Sequence, residues 1–310
     1  MSKIEPGYVS LLESGELEGR VERARAHLTD CVLCGRQCHV NRLESVRGAS
    51  CRTGERAVVH GVGAHHGEED PLRGTQGSGT IFLSGCNLRC VYCQNWEISQ
   101  KGEGYEVSPD EMATMMLSLQ ERGCHNINFV SPSHVVAQIL EAVLHAARRG
   151  LRLPLVFNSG GFDSLVSLEL LDGVVDIYMP DMKYGDSKTA RDYSKVRNYV
   201  ATNRAAVREM HRQVGDLVLD ENGVAVRGLL VRHLVLPGGL ANSGAVFKFI
   251  SGEISKDTYV NVMDQYRPAH LSWQYPPLDR SLRVGEYEKA LALAAKHGLR
   301  RLDRRDTRWC

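Results

Sequence analysis

The chain has almost no net charge: 38 Lys and Arg stand against 37 Asp and Glu, a formal net charge of +1 over 310 residues. That balance excludes general electrostatic attraction to nucleic acid or to an anionic membrane. No apolar run approaches membrane-spanning length. The start, Met1-Ser2-Lys3-Ile4-Glu5-Pro6, lacks the charged-then-apolar pattern of a secretory signal, so a cytoplasmic location is expected. No segment repeats at a fixed short period, which excludes a repeat array. The Arg-rich end, with Arg300, Arg301, Arg304, Arg305 and Arg308 broken by Asp303 and Asp306, reads as a solvated tail. What is left is a length suited to one large α/β domain plus a small appendage.

Cysteine carries the chemistry. Cys86, Cys90 and Cys93 form a Cys-x3-Cys-x2-Cys array with Tyr92 before the last thiol. Three thiolates bind three corners of a 4Fe–4S cube and leave the fourth iron open, whereas most ferredoxin-type clusters are closed by four Cys ligands. An iron without a protein ligand can bind S-adenosylmethionine through its amino and carboxylate groups. One electron passed to the sulfonium then releases a 5′-deoxyadenosyl radical, chemistry that belongs to cofactors and not to side chains. Thr80 to Ser84 reads as a short buried strand ending at Gly85, which places the cysteines on a loop at a strand's C-terminal end. The competing readings are a zinc knuckle or a set of buried thiols. Zinc sites usually combine Cys-x2-Cys pairs into four ligands, and this loop offers a lone triplet.

A second group, Cys31, Cys34, Cys38 and Cys51, precedes the first. Four such thiols suit a closed zinc site or a second Fe–S cluster. A disulfide pair fits poorly, because an oxygen-sensitive open cluster implies a reducing compartment. His39, beside Cys38, is a substitute ligand to weigh against a solvated histidine. Residues 1–60 are therefore read as an N-terminal helix plus a four-Cys knuckle, and residues 61–310 as the main domain.

Strands and helices alternate after the cysteine loop. A helix is expected from Leu11 to Leu28. Ser108-Pro109-Asp110-Glu111 is a capping box with Pro at the first helical position. Strands are expected at Ile127–Val130, Leu153–Phe157, Val174–Tyr178, Leu229–Leu236 and Tyr259–Met263, with helices between them and a last one from Val284 to Lys296. Asn222-Gly223 predicts a hairpin over Val218–Val226. Repeated βα units demand a parallel sheet. Active residues of such sheets gather at the C-terminal ends of strands. That rule selects the cysteine loop, Ser131 and Ser133, Asn158 and Ser159, Asp181 and Lys183, Arg232 and Gln265. Lys183 and Arg232 are suited to a carboxylate. Six βα units predict an α/β partial (β/α)6 barrel, open on one side.

The cysteine array at a strand end resembles the radical S-adenosylmethionine superfamily. Gly67-Glu68-Glu69-Asp70-Pro71, the segment Gly77 to Phe82, the cysteine loop with Gln94-Asn95, Tyr178 to Tyr184, and Val260 to Pro268 resemble one subgroup, the relatives of pyruvate formate-lyase activating enzyme. The resemblance implies the partial-barrel fold, a 4Fe–4S cluster, S-adenosylmethionine, and a flavodoxin- or ferredoxin-type reductant. In the activating enzymes an Asp-x-Lys motif and an Arg before a Pro-Gly turn hold the cofactor; these carry over to Asp181, Lys183 and Arg232. Tyr92 is expected near the adenine. The family's Asp-Thr pair falls on Asn158-Ser159, and its Gly-Gly-Glu segment on Ser131-Pro132-Ser133, where backbone carbonyls can serve the methionyl amine.

Other departures bear on the substrate. Gly77-Ser78-Gly79 lacks the arginine of the usual Pro-Gly-x-Arg segment, and the cysteine quartet precedes the radical motif instead of following it. Three functions are carried forward. One is hydrogen abstraction from a glycine Cα of a large partner enzyme. Another is radical modification of a small molecule or short peptide. A third is a non-catalytic iron–sulfur regulator or electron carrier. No nucleic-acid or membrane partner is expected.

Overall fold

A computed structural model describes residues 5–303. The strands are β1 (Ala57–His65), β2 (Ser78–Leu83), β3 (Tyr105–Val107), β4 (Ile127–Val130), β5 (Leu155–Ser159), β6 (Ile177–Pro180), β7 (Val218–Leu219), β8 (Ala225–Leu234), β9 (Tyr259–Met263) and β10 (Arg301–Leu302). The helices are α1 (Gly7–Glu13), α2 (Glu16–Ala26), α3 (Asp70–Arg73), α4 (Pro109–Glu121), α5 (Val136–Arg148), α6 (Leu165–Leu171), α7 (Ser187–Ser194), α8 (Tyr199–Val214), α9 (Ser243–Phe249) and α10 (Val284–Lys296). The sheet runs β10-β9-β8-β6-β5-β4-β2-β1-β3, with β7 beside β8. From β2 to β9 the neighbours are parallel. These six strands are the partial barrel the sequence predicts. The short β10 extends it in parallel at one edge, and β1 and β3 close the other edge antiparallel.

Alternation along each strand sorts two apolar layers. Phe129, Phe157, Tyr178, Val231 and Val260 face the helices and join the main core. Val156, Ile177, Met179 and Leu230 face the other way, into the barrel, where Leu72 of α3 packs among them. One helical turn thus plugs the barrel interior and lifts the preceding residues, Glu68 and Glu69, into it.

The expected single helix from Leu11 to Leu28 is two, because Gly15 sits at φ 77° and breaks the run. Both pack on the outside of the barrel. The backbone N–H of Gly7 donates to Asp176 (3.1 Å) and the Tyr8 hydroxyl donates to the Leu153 carbonyl (2.9 Å). Strand β1 begins at Ala57 and runs through residue 60, the expected boundary of the N-terminal unit. Arg301 does not belong to a solvated tail: it lies in β10, donates to the Leu217 carbonyl (2.8 Å) and stands over the Tyr259 ring. Arg304, Arg305 and Arg308 lie outside the described residues.

The capping box forms as predicted. The Ser108 hydroxyl accepts from the Glu111 backbone N–H, and the Glu111 carboxylate accepts from the Ser108 N–H (2.7 Å). Replacing Ser108 by Ala removes half of this exchange from a helix packed on β2 and α5. It should lower stability by about 1 kcal/mol, read as a reduced denaturation midpoint with an unchanged slope.

Candidate active site at the strand ends

Strand β2 ends at Leu83, and the chain turns at Gly85 with φ 83°. A side chain there is excluded twice, by the backbone conformation and by space. A Cβ would lie 2.8 Å from the Cys51 carbonyl oxygen. The loop that follows is fastened at several points. Arg89 and Val91 donate backbone N–H bonds to Ser194 (3.1 Å) and Tyr193 (2.8 Å), and the Asn87 side chain donates to the Phe162 carbonyl (2.7 Å).

Each of the three loop sulfurs has a polar neighbour. Cys86 Sγ accepts from the Leu88 N–H (3.4 Å), Cys90 Sγ lies 2.9 Å from the Ser194 hydroxyl, and Cys93 Sγ lies 3.2 Å from the Ser99 hydroxyl. Burial pushes the Cys86 thiol up to about 12 and the Cys90 thiol up to about 11, the second restrained by the Lys183 charge. The three loop cysteines are unpaired. No three or more His, Cys, Asp or Glu among the described residues converge as they would around a single ion.

The other selected residues occupy the same end of the sheet. Lys183 Nζ donates to the Asp181 carboxylate at 2.5 Å. Burial opposes the Lys183 charge, yet Asp181 and Cys90 outweigh it and raise its pKa above the ordinary lysine value. Tyr199 holds this turn by accepting from the Lys183 N–H (3.1 Å) and donating to backbone carbonyls of Gly160 and Asp181. Ser131 adopts φ 61°, and its N–H donates to the Asn158 carbonyl (2.9 Å). Ser133 is buried in the turn that follows. The Ser159 hydroxyl is turned away from the rim, donating to Asp163 (2.6 Å). Gln265 is exposed, and its carbonyl accepts from the Gln94 side chain of the cysteine loop (3.1 Å).

Two residues sit differently from the expectation. Arg232 does not present a free fork. Glu69 accepts from Nε (2.7 Å) and Nη2 (2.6 Å), and Glu68 accepts a further bond from Nη2. Only Nη1 points to Asn158, at 3.5 Å. Asn261 also donates to Glu69 (2.6 Å). Burial would raise the Glu68 carboxyl, but Arg232 and His65 together hold it down at about 2. Tyr92 is buried, with its hydroxyl hydrogen-bonded to that of Tyr184 (2.6 Å) and its ring edge-on to Tyr266. The Tyr184 hydroxyl bonds in turn to Ser194 (2.6 Å), so a chain of three hydroxyls ends on Cys90. Tyr92 thus packs the loop in place of offering a face to a base.

The cysteine quartet lines a common cavity, together with Arg36, Arg42, Asn87 and His134. His39 is not part of it. It is exposed and paired with Asp30 (2.8 Å).

A sequence model of the radical SAM superfamily matches residues 80–222. The uncharacterized protein MJ0674 of Methanocaldococcus jannaschii is 35% identical over 293 residues, covering 91% of this chain and 79% of that protein. Among solved structures, methylornithine synthase (PylB) superposes with a TM-score of 0.47 at 15% identity, over 72% of this chain and 63% of that one. TYW1 with a lysine-pyruvate adduct bound gives 0.42 at 11% identity, over 70% and 73% of the two chains. The chain therefore spans less than two thirds of the methylornithine synthase it matches.

Arg232→Ala would remove the guanidinium that faces the buried carboxylates of Glu68 and Glu69. The cost should be roughly 3–5 kcal/mol in denaturant unfolding at neutral pH. The depressed Glu68 pKa supplies stability that is complete above the ordinary carboxyl value and is lost as pH falls towards about 2. In the variant this acid-side loss should be much smaller, read as a flatter stability–pH curve below pH 4.5.

Proposed function

The chain belongs to the radical SAM superfamily, and on that footing we propose that it removes a hydrogen atom from its substrate in the manner of the glycyl-radical activating enzymes. Membership implies a 4Fe–4S cluster and S-adenosylmethionine. When bound, these supply a 5′-deoxyadenosyl radical that abstracts hydrogen.

The observation that carries the assignment is the strand-end loop with three unpaired thiols, each sulfur beside a hydrogen-bonding group. Cys86, Cys90 and Cys93 are the proposed iron ligands. Holding a cluster would require Cys86, Cys90 and Cys93 to act as thiolates, against the burial that raises the pKa of Cys86 and Cys90. The hydroxyls of Ser194 and Ser99 would stabilise the thiolates they face and so help tune a bound cluster.

Lys183, kept charged by Asp181, is the proposed partner of the methionyl carboxylate, with Arg232 Nη1 beside Asn158 as a flanking donor. Carbonyls of the Ser131–Ser133 turn take the methionyl amine. Ser159 and Gln265 complete the rim. Cys31, Cys34, Cys38 and Cys51 hold one further metal or cluster, carried on the segment that precedes β1.

The substrate reading is a glycine Cα–H on a partner protein. Trp273, 65% exposed, and Leu271, whose N–H donates to Val91 of the cysteine loop (2.8 Å), place apolar surface beside the site. The alternative is a small molecule or short peptide. Asn128 favours it: the residue is fully buried on β4, in register with inward-facing Val156, and both amide atoms lack a protein partner. A flavodoxin- or ferredoxin-type protein is the proposed electron donor.

Anaerobically reconstituted protein given dithionite and S-adenosylmethionine should form 5′-deoxyadenosine, and Ala at Cys86, Cys90 or Cys93 should abolish it. Product from all three variants at the native rate would refute the ligand assignment. No product from the native protein with its cluster intact would favour a non-catalytic iron–sulfur carrier.

Lys183→Ala removes a charge-assisted pair worth about 1.5–3 kcal/mol, so cofactor affinity should fall roughly tenfold to a hundredfold while cluster absorbance is retained. Unchanged affinity in calorimetry would place the carboxylate elsewhere.

A further inference from the structure

We infer that Cys31, Cys34, Cys38 and Cys51 seat a second iron–sulfur cluster, closed by four thiolates, against the back of the Cys86–Cys93 loop. The inference deepens the reading above that these four share one metal.

The first observation is charge. Arg42 is buried, and its guanidinium donates to the carbonyls of Thr53 (2.8 Å), His134 (2.7 Å) and Gly54 (3.0 Å), reaching Cys31 Sγ at 3.8 Å. Arg36 donates to the carbonyls of Asn87 (2.7 Å) and Lys195 (2.9 Å), and its Nη2 is buried without a partner. Neither arginine has a carboxylate partner among the described residues. Two guanidinium charges therefore line a cavity of four thiols with only neutral oxygens to face. Uncompensated buried charge is costly. A metal centre held by four thiolates carries the missing negative charge.

The second observation is spacing. The quartet lines one cavity, and its first three thiols and the loop's three have mirror-image spacings, Cys-x2-Cys-x3-Cys against Cys-x3-Cys-x2-Cys, with Cys51 as the fourth ligand that a closed cube needs.

The third observation is adjacency. The Cys51 carbonyl stands against Gly85, one residue before Cys86. Asn87 of the cysteine loop lines the quartet's cavity. Arg36 lies within electrostatic reach of Cys34 on one side and of Cys86 and Cys90 on the other. A zinc knuckle would have no use for this shared wall, whereas two one-electron centres would.

The test is metal analysis with electron paramagnetic resonance on anaerobically reconstituted full-length protein. The native chain should hold about eight irons, and the Cys86→Ala/Cys90→Ala/Cys93→Ala variant about four. On reduction with dithionite that variant should give a cluster signal that S-adenosylmethionine leaves unchanged. Cys34→Ser/Cys51→Ser should also hold about four irons, with a signal that S-adenosylmethionine perturbs. Zinc in the triple variant, lost from the Cys34→Ser/Cys51→Ser protein, would overturn the cluster while leaving the shared-metal reading intact. A triple variant with neither metal would overturn both. Because the triple variant retains the whole quartet, failure of the double variant to fold does not remove the test.

Discussion

The close approach of the Cys51 carbonyl to Gly85 is the contact on which both cysteine groups depend. It requires a residue without Cβ in a left-handed turn at the end of β2, immediately before the first loop cysteine. On one side of the contact lies the knuckle with its four thiols, on the other the loop with three. The knuckle is tied to the barrel on the same side: Gly35 donates to the Phe162 carbonyl (2.9 Å) and Ser167 to the Leu33 carbonyl (2.6 Å). The knuckle is thus part of the wall behind the cysteine loop.

The barrel interior adds a second constraint. Leu72 fills its apolar floor and holds Glu68 and Glu69 above it, where they grip Arg232. The site's cations are therefore unequal. Lys183 has one carboxylate partner at the strand end, while Arg232 answers to two buried ones. A ligand carboxylate can compete for the first more readily than for the second.

Much of this was legible in the sequence because it rests on local signals. The capping box at Ser108, the final helix from Val284 and the strands Ile127–Val130 and Tyr259–Met263 stand where the local pattern predicts, while β5 and β6 begin two and three residues later than expected and β8 begins at Ala225, ahead of the expected Leu229. The hairpin at Asn222-Gly223 forms, although only two residues pair on its first arm before the strand continues as β8. The Arg232 pairing was not legible, since its partner Glu69 lies 163 positions away and nothing local marks it. Gly67 to Pro71 was visible only as a resemblance; its role emerges from Leu72 inserting between strands. Tyr92 looked like a stacking platform because of its place between two thiols, yet hydroxyl partners on Tyr184 and Ser194, far along the chain, decide its orientation. Strand β1 alternates in burial, but its sequence hides this, because Val62 lies on the exposed face while Gly61 and Gly63 take the more buried positions, and β3 has only three residues.

The most direct measurement is anomalous diffraction at the iron edge from crystals of the reconstituted protein grown without oxygen. The account predicts iron density bounded by the sulfurs of Cys86, Cys90 and Cys93, with one iron of that centre lacking a protein ligand and facing Lys183. Iron bound elsewhere with those three thiols unligated, or a fourth protein ligand closing that centre, would contradict it.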